Sequence, residues 1–153
     1  MKNILLTIII FSSFFAYSQQ GLKVIEATKQ GWSGGQEGSG FGVYYKVSFI
    51  PLYSSEKLTL DSLWVGDRYY SIDMLAKEQN IVNDFEVGDT LWFQVSYRNY
   101  WSGFSPENFN PDNNKVSPPY PYKGEAIIEY RIDNKRKFYE IEELKELEYL
   151  AYP

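Results

Sequence analysis

Residues 91–98 read LWFQVSYR, and this stretch decides the fold class. Its odd-numbered positions are Leu, Phe, Val and Tyr, and the positions between them are Trp, Gln, Ser and Arg. Successive side chains of a β-strand point to opposite faces of the sheet, so this two-residue period predicts a strand with one face in the core. The same alternation recurs at 43–49 and at 126–133.

Four more segments are predicted strands: 22–28, 57–65, 68–72 and 136–142. Tight turns are predicted at 65–68, which reads VGDR, and at 133–135, which reads DNK, because Gly, Asn and Asp tolerate turn conformations. About seven strands, with turn signals roughly every 8–12 residues, are typical of a β-sandwich. We therefore expect an all-β fold, a single immunoglobulin-like antiparallel β-sandwich of about seven strands.

Two segments are ambiguous between helix and strand. Residues 71–80 place Ile72, Leu75 and Ala76 at helical spacing, which predicts one or two helical turns. The tail 141–150 has apolar residues at three-residue spacing and fits either a helix or a continued strand.

The first eighteen residues have the pattern of a secretory signal peptide. A short basic start precedes an apolar run, and Ala16 and Ser18 place small residues at −3 and −1 of a cut before Gln19. The run spans about twelve residues, fewer than the roughly 20 that a membrane helix needs, although an uncleaved anchor is the alternative. We expect a signal peptide at 1–18 and an exported domain at 19–153, periplasmic or secreted, with no membrane span after cleavage.

The chain of 153 residues contains neither cysteine nor histidine. A lipid anchor on cysteine, disulfides, thiol catalysis, iron–sulfur clusters and ordinary zinc sites are thereby excluded, as are triads that use histidine. We expect no cofactor and no metal, and we assign no catalytic residue. The sequence leaves open whether the protein is an enzyme and favours the interpretation that it is not. Export without cysteine is ordinary for a bacterial envelope protein.

The formal net charge is −5 and the isoelectric point is about 4.8. Phosphate backbones repel an acidic protein, so no nucleic-acid partner is expected.

Two loops attract attention as candidate binding sites. Residues 31–42 are dense in glycine, but no Gly-Lys-Ser/Thr follows and a strand rather than a helix comes next, which argues against a phosphate site. Residues 99–123 form a long stretch rich in Pro, Asn and aromatic residues, and loops of this length are often functional. The candidate ligand-binding residues are Trp32, Tyr100, Trp101 and Phe104. The alternative is that the aromatic rings cover the edge of the sandwich.

Several short motifs resemble a family of small exported proteins of Bacteroidota for which no activity is known. The N-terminus at 1–20 is similar to signal peptides of that phylum, which often end in Ser-Gln. The rest of the likeness lies in the motifs WSGG at 32–35, GSG at 38–40, YY at 44–45 and YKGEA at 122–126, together with the closing Tyr152-Pro153. The resemblance implies no functional residue.

The leading interpretation is a non-catalytic exported module that binds a protein or glycan partner in the bacterial envelope. One alternative is a glycan hydrolase, which requires two carboxylates in one cleft. Its candidate carboxylates are Glu37, Asp61, Asp67, Asp84, Glu86, Asp89 and Glu107. A second alternative is a structural or assembly subunit that adds a strand to a neighbour. The oligomeric state is left open.

Expression of the full chain in a Gram-negative host tests the export pattern. We expect mass spectrometry of the exported protein to show Gln19 as its first residue. A bulky residue at −3 should block cleavage, so the Ala16→Phe variant should accumulate with its N-terminus intact while Thr7→Ala is processed normally. Recovery of an uncleaved wild-type chain would contradict the prediction.

Overall fold

The computed structural model describes residues 20–36, 38–107 and 109–153, so the predicted signal peptide at 1–18 lies outside the described residues. Every regular element in the described part is a β-strand, which confirms the expected all-β class. Consequently none of these residues belongs to a helix that could cross a bilayer. The strands are β1 (Leu22–Ser33), β2 (Phe41–Pro51), β3 (Leu58–Val65), β4 (Arg68–Ser71), β5 (Leu75–Lys77), β6 (Asn80–Val82), β7 (Leu91–Asn99), β8 (Ala126–Ile132), β9 (Lys135–Ile141), β10 (Lys145–Glu146) and β11 (Leu150–Ala151).

The strands form two sheets. Sheet A has the order β10-β1-β2-β7-β5-β6, with β11 also paired to β1, and sheet B has the order β4-β3-β8-β9. The chain changes sheet four times, between β2 and β3, β4 and β5, β7 and β8, and β9 and β10. Within the sheets β2 lies beside β7, and β3 lies beside β8. The long strands pair antiparallel as expected, whereas β10 and β11 run parallel to β1.

One hydrophobic core lies between the sheets and makes the arrangement sandwich-like. Sheet A contributes Val47, Phe49, Leu91 and Phe93, and sheet B contributes side chains such as Tyr130. Phe49 and Phe93 come from neighbouring strands, and their ring centroids are 6.2 Å apart. The alternation in the sequence predicts these inward positions correctly, because the odd-numbered residues of β7 face the core.

Both predicted turns are present. Gly66 has a φ of 61° in the connection from β3 to β4. Asp133 and Asn134 have φ values of 48° and 64° between β8 and β9. Positive φ at both central residues matches the twist of the flanking strands, which is why Asp and Asn occur here.

The predicted helix at 71–80 is wrong. This segment crosses from sheet B to sheet A and forms the small hairpin of β5 and β6. Ala76 pairs with Trp92 on β7, and the indole Nε1 of Trp92 donates a hydrogen bond to the Glu78 carbonyl at 2.9 Å. Tertiary contacts with β7 therefore override a helical spacing of only three apolar residues.

The tail forms strands rather than a helix. Its two short strands cover the outer edge of β1, where Thr28 pairs with Lys145 and Trp32 with Leu150. The Glu125 carboxylate fixes the start of this tail, because it accepts a hydrogen bond from the Leu144 amide and forms an ion pair with Lys29. These contacts lower the pKa of Glu125, the amide bond being the larger cause.

Part of the long loop covers the outer face of sheet B. The Tyr120 ring meets Phe138 edge-on at 5.3 Å, and the Tyr122 hydroxyl accepts a hydrogen bond from the Gly66 amide at 2.6 Å. Trp64 and Ile127 are buried although their register places them on this outer face. The interpretation of the loop aromatics as a cover therefore applies to this portion of the loop.

A partly buried polar network lies on the same face. The Glu129 carboxylate accepts hydrogen bonds from Trp64 Nε1 at 3.1 Å, Ser62 Oγ at 3.3 Å and Arg136 Nε at 2.6 Å. Burial alone would raise the pKa of Glu129, but these bonds outweigh burial and lower it. Glu129 is thus a structural anion with its oxygens occupied.

The burial of Phe93 in the core leads to a testable prediction. Phe93→Ala removes a buried ring between the two sheets and should lower the free energy of unfolding by about 3–5 kcal/mol, measured by urea denaturation. Val87→Ala removes an exposed side chain and should leave the free energy nearly unchanged. Equal effects of the two substitutions would contradict the assigned core.

Candidate functional site

The two loops singled out in the sequence leave from the same end of sheet A. Phe41 at the start of β2 pairs with Ser33 on one side and with Asn99 on the other. The glycine-rich connection from β1 to β2 and the long loop after β7 therefore begin side by side. The turn at Gly66 contacts the long loop, because the Gly66 amide donates a hydrogen bond to the Tyr122 hydroxyl.

A glycine in β2 leaves space for a tryptophan side chain to pack on the outer face of sheet A. Trp32 on β1, Gly42 on β2 and Arg98 on β7 are consecutive neighbours across the three strands. A Cβ atom at Gly42 would lie 3.0 Å from Trp32 Nε1 and would overlap the Tyr97 carbonyl oxygen. Only glycine leaves room for this close approach, and Trp32 is 4% exposed as a result.

The Trp32 ring contacts another aromatic ring and a cation. The Tyr44 ring stacks on it with centroids 5.5 Å apart and planes at 17°. The Arg98 guanidinium lies 5.2 Å from the Trp32 centroid, in the range of a cation–π interaction. Among the described residues no carboxylate pairs with Arg98, so its N–H donors are available for a ligand.

These side chains line a cleft of about 440 Å³. The remaining wall comes from the glycine-rich loop and from the tail. The Tyr152 amide donates to the Ser33 carbonyl at 2.9 Å, which holds the tail against β1. The lining residues are Trp32, Gly34, Gln36, Gly38, Ser39, Tyr44, Arg98, Tyr152 and Pro153.

The Tyr44 hydroxyl of the cleft stays protonated at neutral pH. Burial raises the pKa of Tyr44, and its hydrogen bond with Tyr152 raises it further against the opposing effect of Arg98. The described lining residues of the cleft therefore combine hydroxyl groups, one cation and aromatic rings. This set can bind and orient a ligand, and among the described lining residues no side chain is suited to act as a base or nucleophile.

The four residues predicted from sequence do not form one site. Trp32 lies in β1 and forms the floor of the cleft, so the glycine-rich loop does not present it to solvent. Trp101 is 50% exposed and packs on Phe41 with centroids 4.4 Å apart. Phe41 has the register of the inward residues of β2, so Trp101 lies on the other side of the sheet from Trp32.

Tyr100 and Phe104 also lie outside the cleft. The Tyr100 ring meets Phe109 edge-on at 4.7 Å and is half-buried, while Phe104 is 44% exposed. The structure therefore brings these residues to the same end of the sheet as Trp32 without placing them around one cavity.

Sequence reasoning missed Tyr44, Arg98 and Tyr152. The first two are even-numbered outward positions of strands whose odd positions were correctly assigned to the core. Their register relative to Trp32 depends on the pairing of three strands, which no local pattern specifies. A signal was present in Gly42, because a glycine inside a strand marks a close approach.

Two of the candidate carboxylates, Asp61 and Asp89, are engaged in structural contacts. Asp61 accepts three hydrogen bonds from the Arg131 guanidinium, and Asp89 pairs with Lys77 at 2.6 Å. Glu37 lies outside the described residues. Within the described ranges no group of three or more acidic side chains could hold a metal ion.

Comparison with known proteins adds no relative. No protein-family model matches the chain, and neither a curated protein nor a solved structure matches it. The function must therefore be argued from the cleft itself.

The Gly42→Ala variant tests whether the packing of Trp32 requires a glycine at position 42. The added methyl group meets the Tyr97 carbonyl and the indole, so β2 and β7 must separate locally or Trp32 must move. We expect a loss of about 1–3 kcal/mol in the free energy of unfolding and a changed near-ultraviolet circular dichroism spectrum. Ser48 lies on the same face of the same strand, and Ser48→Ala should change neither the free energy of unfolding nor the spectrum. Equal changes in the two variants would refute the packing described for Trp32.

Proposed function

We propose that this protein is an exported, non-catalytic immunoglobulin-like module that binds a glycan carrying a carboxylate in the bacterial envelope. The observation that carries the proposal is the Arg98 guanidinium, which lies over the Trp32 ring in a concave aromatic cleft without a described carboxylate partner.

The strand order supports the immunoglobulin-like assignment. In that fold one sheet has strands A-B-E-D and the other has G-F-C, extended by C′ in some members. The order β1-β2-β7-β5 corresponds to A-B-E-D, and β9-β8-β3-β4 corresponds to G-F-C-C′. In these terms the cleft lies at the end of the A–B and E–F connections, opposite the end that antibodies use.

Export and the envelope location rest on the sequence. The pattern at 1–18, the absence of cysteine and the resemblance to exported Bacteroidota proteins all favour a bacterial protein that works outside the cytoplasm.

The cleft suits a short acidic sugar. Its volume lies within the roughly 300–1,000 Å³ of typical small-molecule sites. The C–H faces of a sugar ring can pack on Tyr44 and Tyr152, while hydroxyl groups exchange hydrogen bonds with the phenols and with the Gln36 amide. A guanidinium binds a carboxylate through two parallel hydrogen bonds, which gives Arg98 its role. A protein partner would require a much larger contact, about 800 Å² on each side.

The hydrolase alternative receives less support. A general acid in a glycosidase needs a raised pKa so that it is protonated at the working pH. The three described carboxyl groups with shifted pKa values are Asp89, Glu125 and Glu129, and all three shift downward because of hydrogen bonds that outweigh burial. None of the three lines the cleft.

Calorimetric titration with uronic-acid oligosaccharides tests the proposal. We expect an acidic trisaccharide to bind and its neutral, carboxyl-reduced counterpart to bind at least about tenfold more weakly, because the charged hydrogen bonds to Arg98 are lost. Arg98→Gln should weaken binding of the acidic sugar by a similar factor.

Lys57→Gln is the matched control, since it removes one exposed positive charge at the other end of the molecule. Its affinity should equal that of the wild type. Equal binding of acidic and neutral sugars, or equal affinity of Arg98→Gln and Lys57→Gln, would overturn the assignment.

A further inference from the structure

The outer face of sheet A continues beyond the glycan cleft along β7. After Arg98, the outward side chains of this strand are Ser96, Gln94 and Trp92, in that order. The first three of these four residues are exposed and Trp92 is half-buried. Residues on one face of a strand follow each other at about 7 Å, so the four side chains form a row about 20 Å long. The cleft at Arg98 is thus one end of a longer polar surface.

A second cation lies over a tryptophan near the far end of this row. The ammonium of Lys46 on β2 is 4.4 Å from the centroid of the Trp92 ring. The indole Nε1 of Trp92 donates a hydrogen bond to the Glu78 carbonyl, which fixes the orientation of the ring. This pair repeats the arrangement in the cleft, where the Arg98 guanidinium lies over Trp32.

Neither cation has a carboxylate partner among the described residues. The outward positions of β2 and β7, both described in full, contain no Asp or Glu. Glu26 of β1 has a register on the same face, but it forms an ion pair with Lys145 at 3.4 Å. The formal net charge of the chain is −5, so two unpaired cations on one face stand out as a site for anions.

The two rings hold the cations ready for an anion. An indole attracts a guanidinium or an ammonium that lies over its face. Long basic side chains lose much rotamer freedom when they bind a ligand, and a side chain already held on a ring loses less. Lys46 and Arg98 are therefore better placed to bind carboxylates than freely mobile surface cations.

The separation of the two cations sets the length of the ligand. Lys46 pairs with Gln94, which is four residues from Arg98 along β7. Four residues of strand span about 13 Å, which is longer than one sugar ring. Both cations are therefore engaged together only by a chain that carries carboxylates on separate sugar units.

We propose that the outer face of sheet A binds an acidic polysaccharide lengthwise, with one carboxylate on Arg98 and a later carboxylate on Lys46. This inference rests on the proposed function, because it extends the site at Arg98. Between the cations, the Ser96 hydroxyl and the Gln94 amide exchange hydrogen bonds with sugar hydroxyl groups. The ligand class is thus a polymer in which acidic sugars recur, such as a polyuronate.

A polyanion without sugar rings fits this face less well. Tyr44 pairs with Ser96 and also lines the cleft, so an aromatic ring and hydroxyl groups lie between the two cations. A glutamate peptide has neither C–H ring faces nor hydroxyl groups for these contacts. Ion pairs on an exposed surface contribute little by themselves, so charge without the sugar contacts should give weak binding.

Calorimetric titration with galacturonate oligosaccharides of two lengths tests the inference. The disaccharide carries two carboxylates but is too short to reach from Arg98 to Lys46, whereas the hexasaccharide spans both. We expect the hexasaccharide to bind at least about tenfold more tightly than the disaccharide, because it adds a charged contact and further hydrogen bonds. A hexaglutamate peptide should bind at least about tenfold more weakly than the hexasaccharide.

A pair of variants localises the added contact. Lys46→Gln should remove most of the gain in affinity that the hexasaccharide has over the disaccharide. Lys135→Gln removes one charge from an exposed position on β9 of sheet B and should keep the whole gain. Both lysines are exposed, so both variants should keep the wild-type circular dichroism spectrum.

Nuclear magnetic resonance of the four ¹⁵N-labelled indole groups shows where each sugar lies. The hexasaccharide should shift the signals of both Trp32 and Trp92, and the disaccharide should shift Trp32 alone. Trp64, which bonds to Glu129 in sheet B, and Trp101, on the other side of sheet A, should not respond to either sugar.

Four results would each overturn this inference while the disaccharide still binds in a manner that depends on Arg98. These are equal affinity for the two sugars, equal effects of the two lysine variants, an unshifted Trp92 signal with the hexasaccharide, and hexaglutamate binding as tight as that of the hexasaccharide. The proposed function would stand in all four cases. Binding of neither sugar, or binding unaffected by Arg98→Gln, would overturn the proposed function and this inference together.

Discussion

The pairing of β2 with β7 is the constraint on which the rest of the structure depends. Nine consecutive antiparallel residue pairs join Phe41–Phe49 to Leu91–Asn99. On one side of these strands the odd-numbered residues form half of the core, and on the other side Gly42, Tyr44 and Arg98 form the seat and wall of the cleft. A slip of one residue would exchange the two sets, burying the arginine and exposing the phenylalanines. Core stability and cleft geometry are therefore fixed by the same register.

The side chains that fill the space between the sheets are apolar at one end and more polar at the other. Near Phe49 and Phe93 it is filled by apolar side chains, whereas toward the loops it contains Tyr45, Tyr70 and Arg68. The rings of Tyr45 and Tyr70 lie 5.6 Å apart, and burial raises the pKa of both phenols. Burial of polar groups is less favourable than burial of apolar ones, so this half of the core contributes less to stability than the half around Phe49 and Phe93.

Local sequence patterns predict the strands well and the site poorly. Seven of the segments predicted as strands are present, and both predicted turns have the expected backbone, because alternation and turn chemistry act over a few residues. Local patterns do not predict the hairpin at 75–82 and leave the tail open between helix and strand, because each is defined by a distant partner, Trp92 in one case and β1 in the other. The aromatic richness of the long loop pointed to Trp101, but the cleft is assembled from β1, β2, β7 and the tail, whose juxtaposition no short motif encodes.

The parallel pairing of the tail with β1 has a mechanical consequence. Gly21 enters β1 at one end of the sheet and Tyr152 leaves β11 at the other, with the two strands side by side. Tension applied between these points pulls the strands lengthwise past each other and loads their hydrogen bonds together, in shear, rather than opening them one at a time. Forced unfolding is governed by the barrier to rupture, so this geometry resists tension between the two points better than one in which the hydrogen bonds open in sequence.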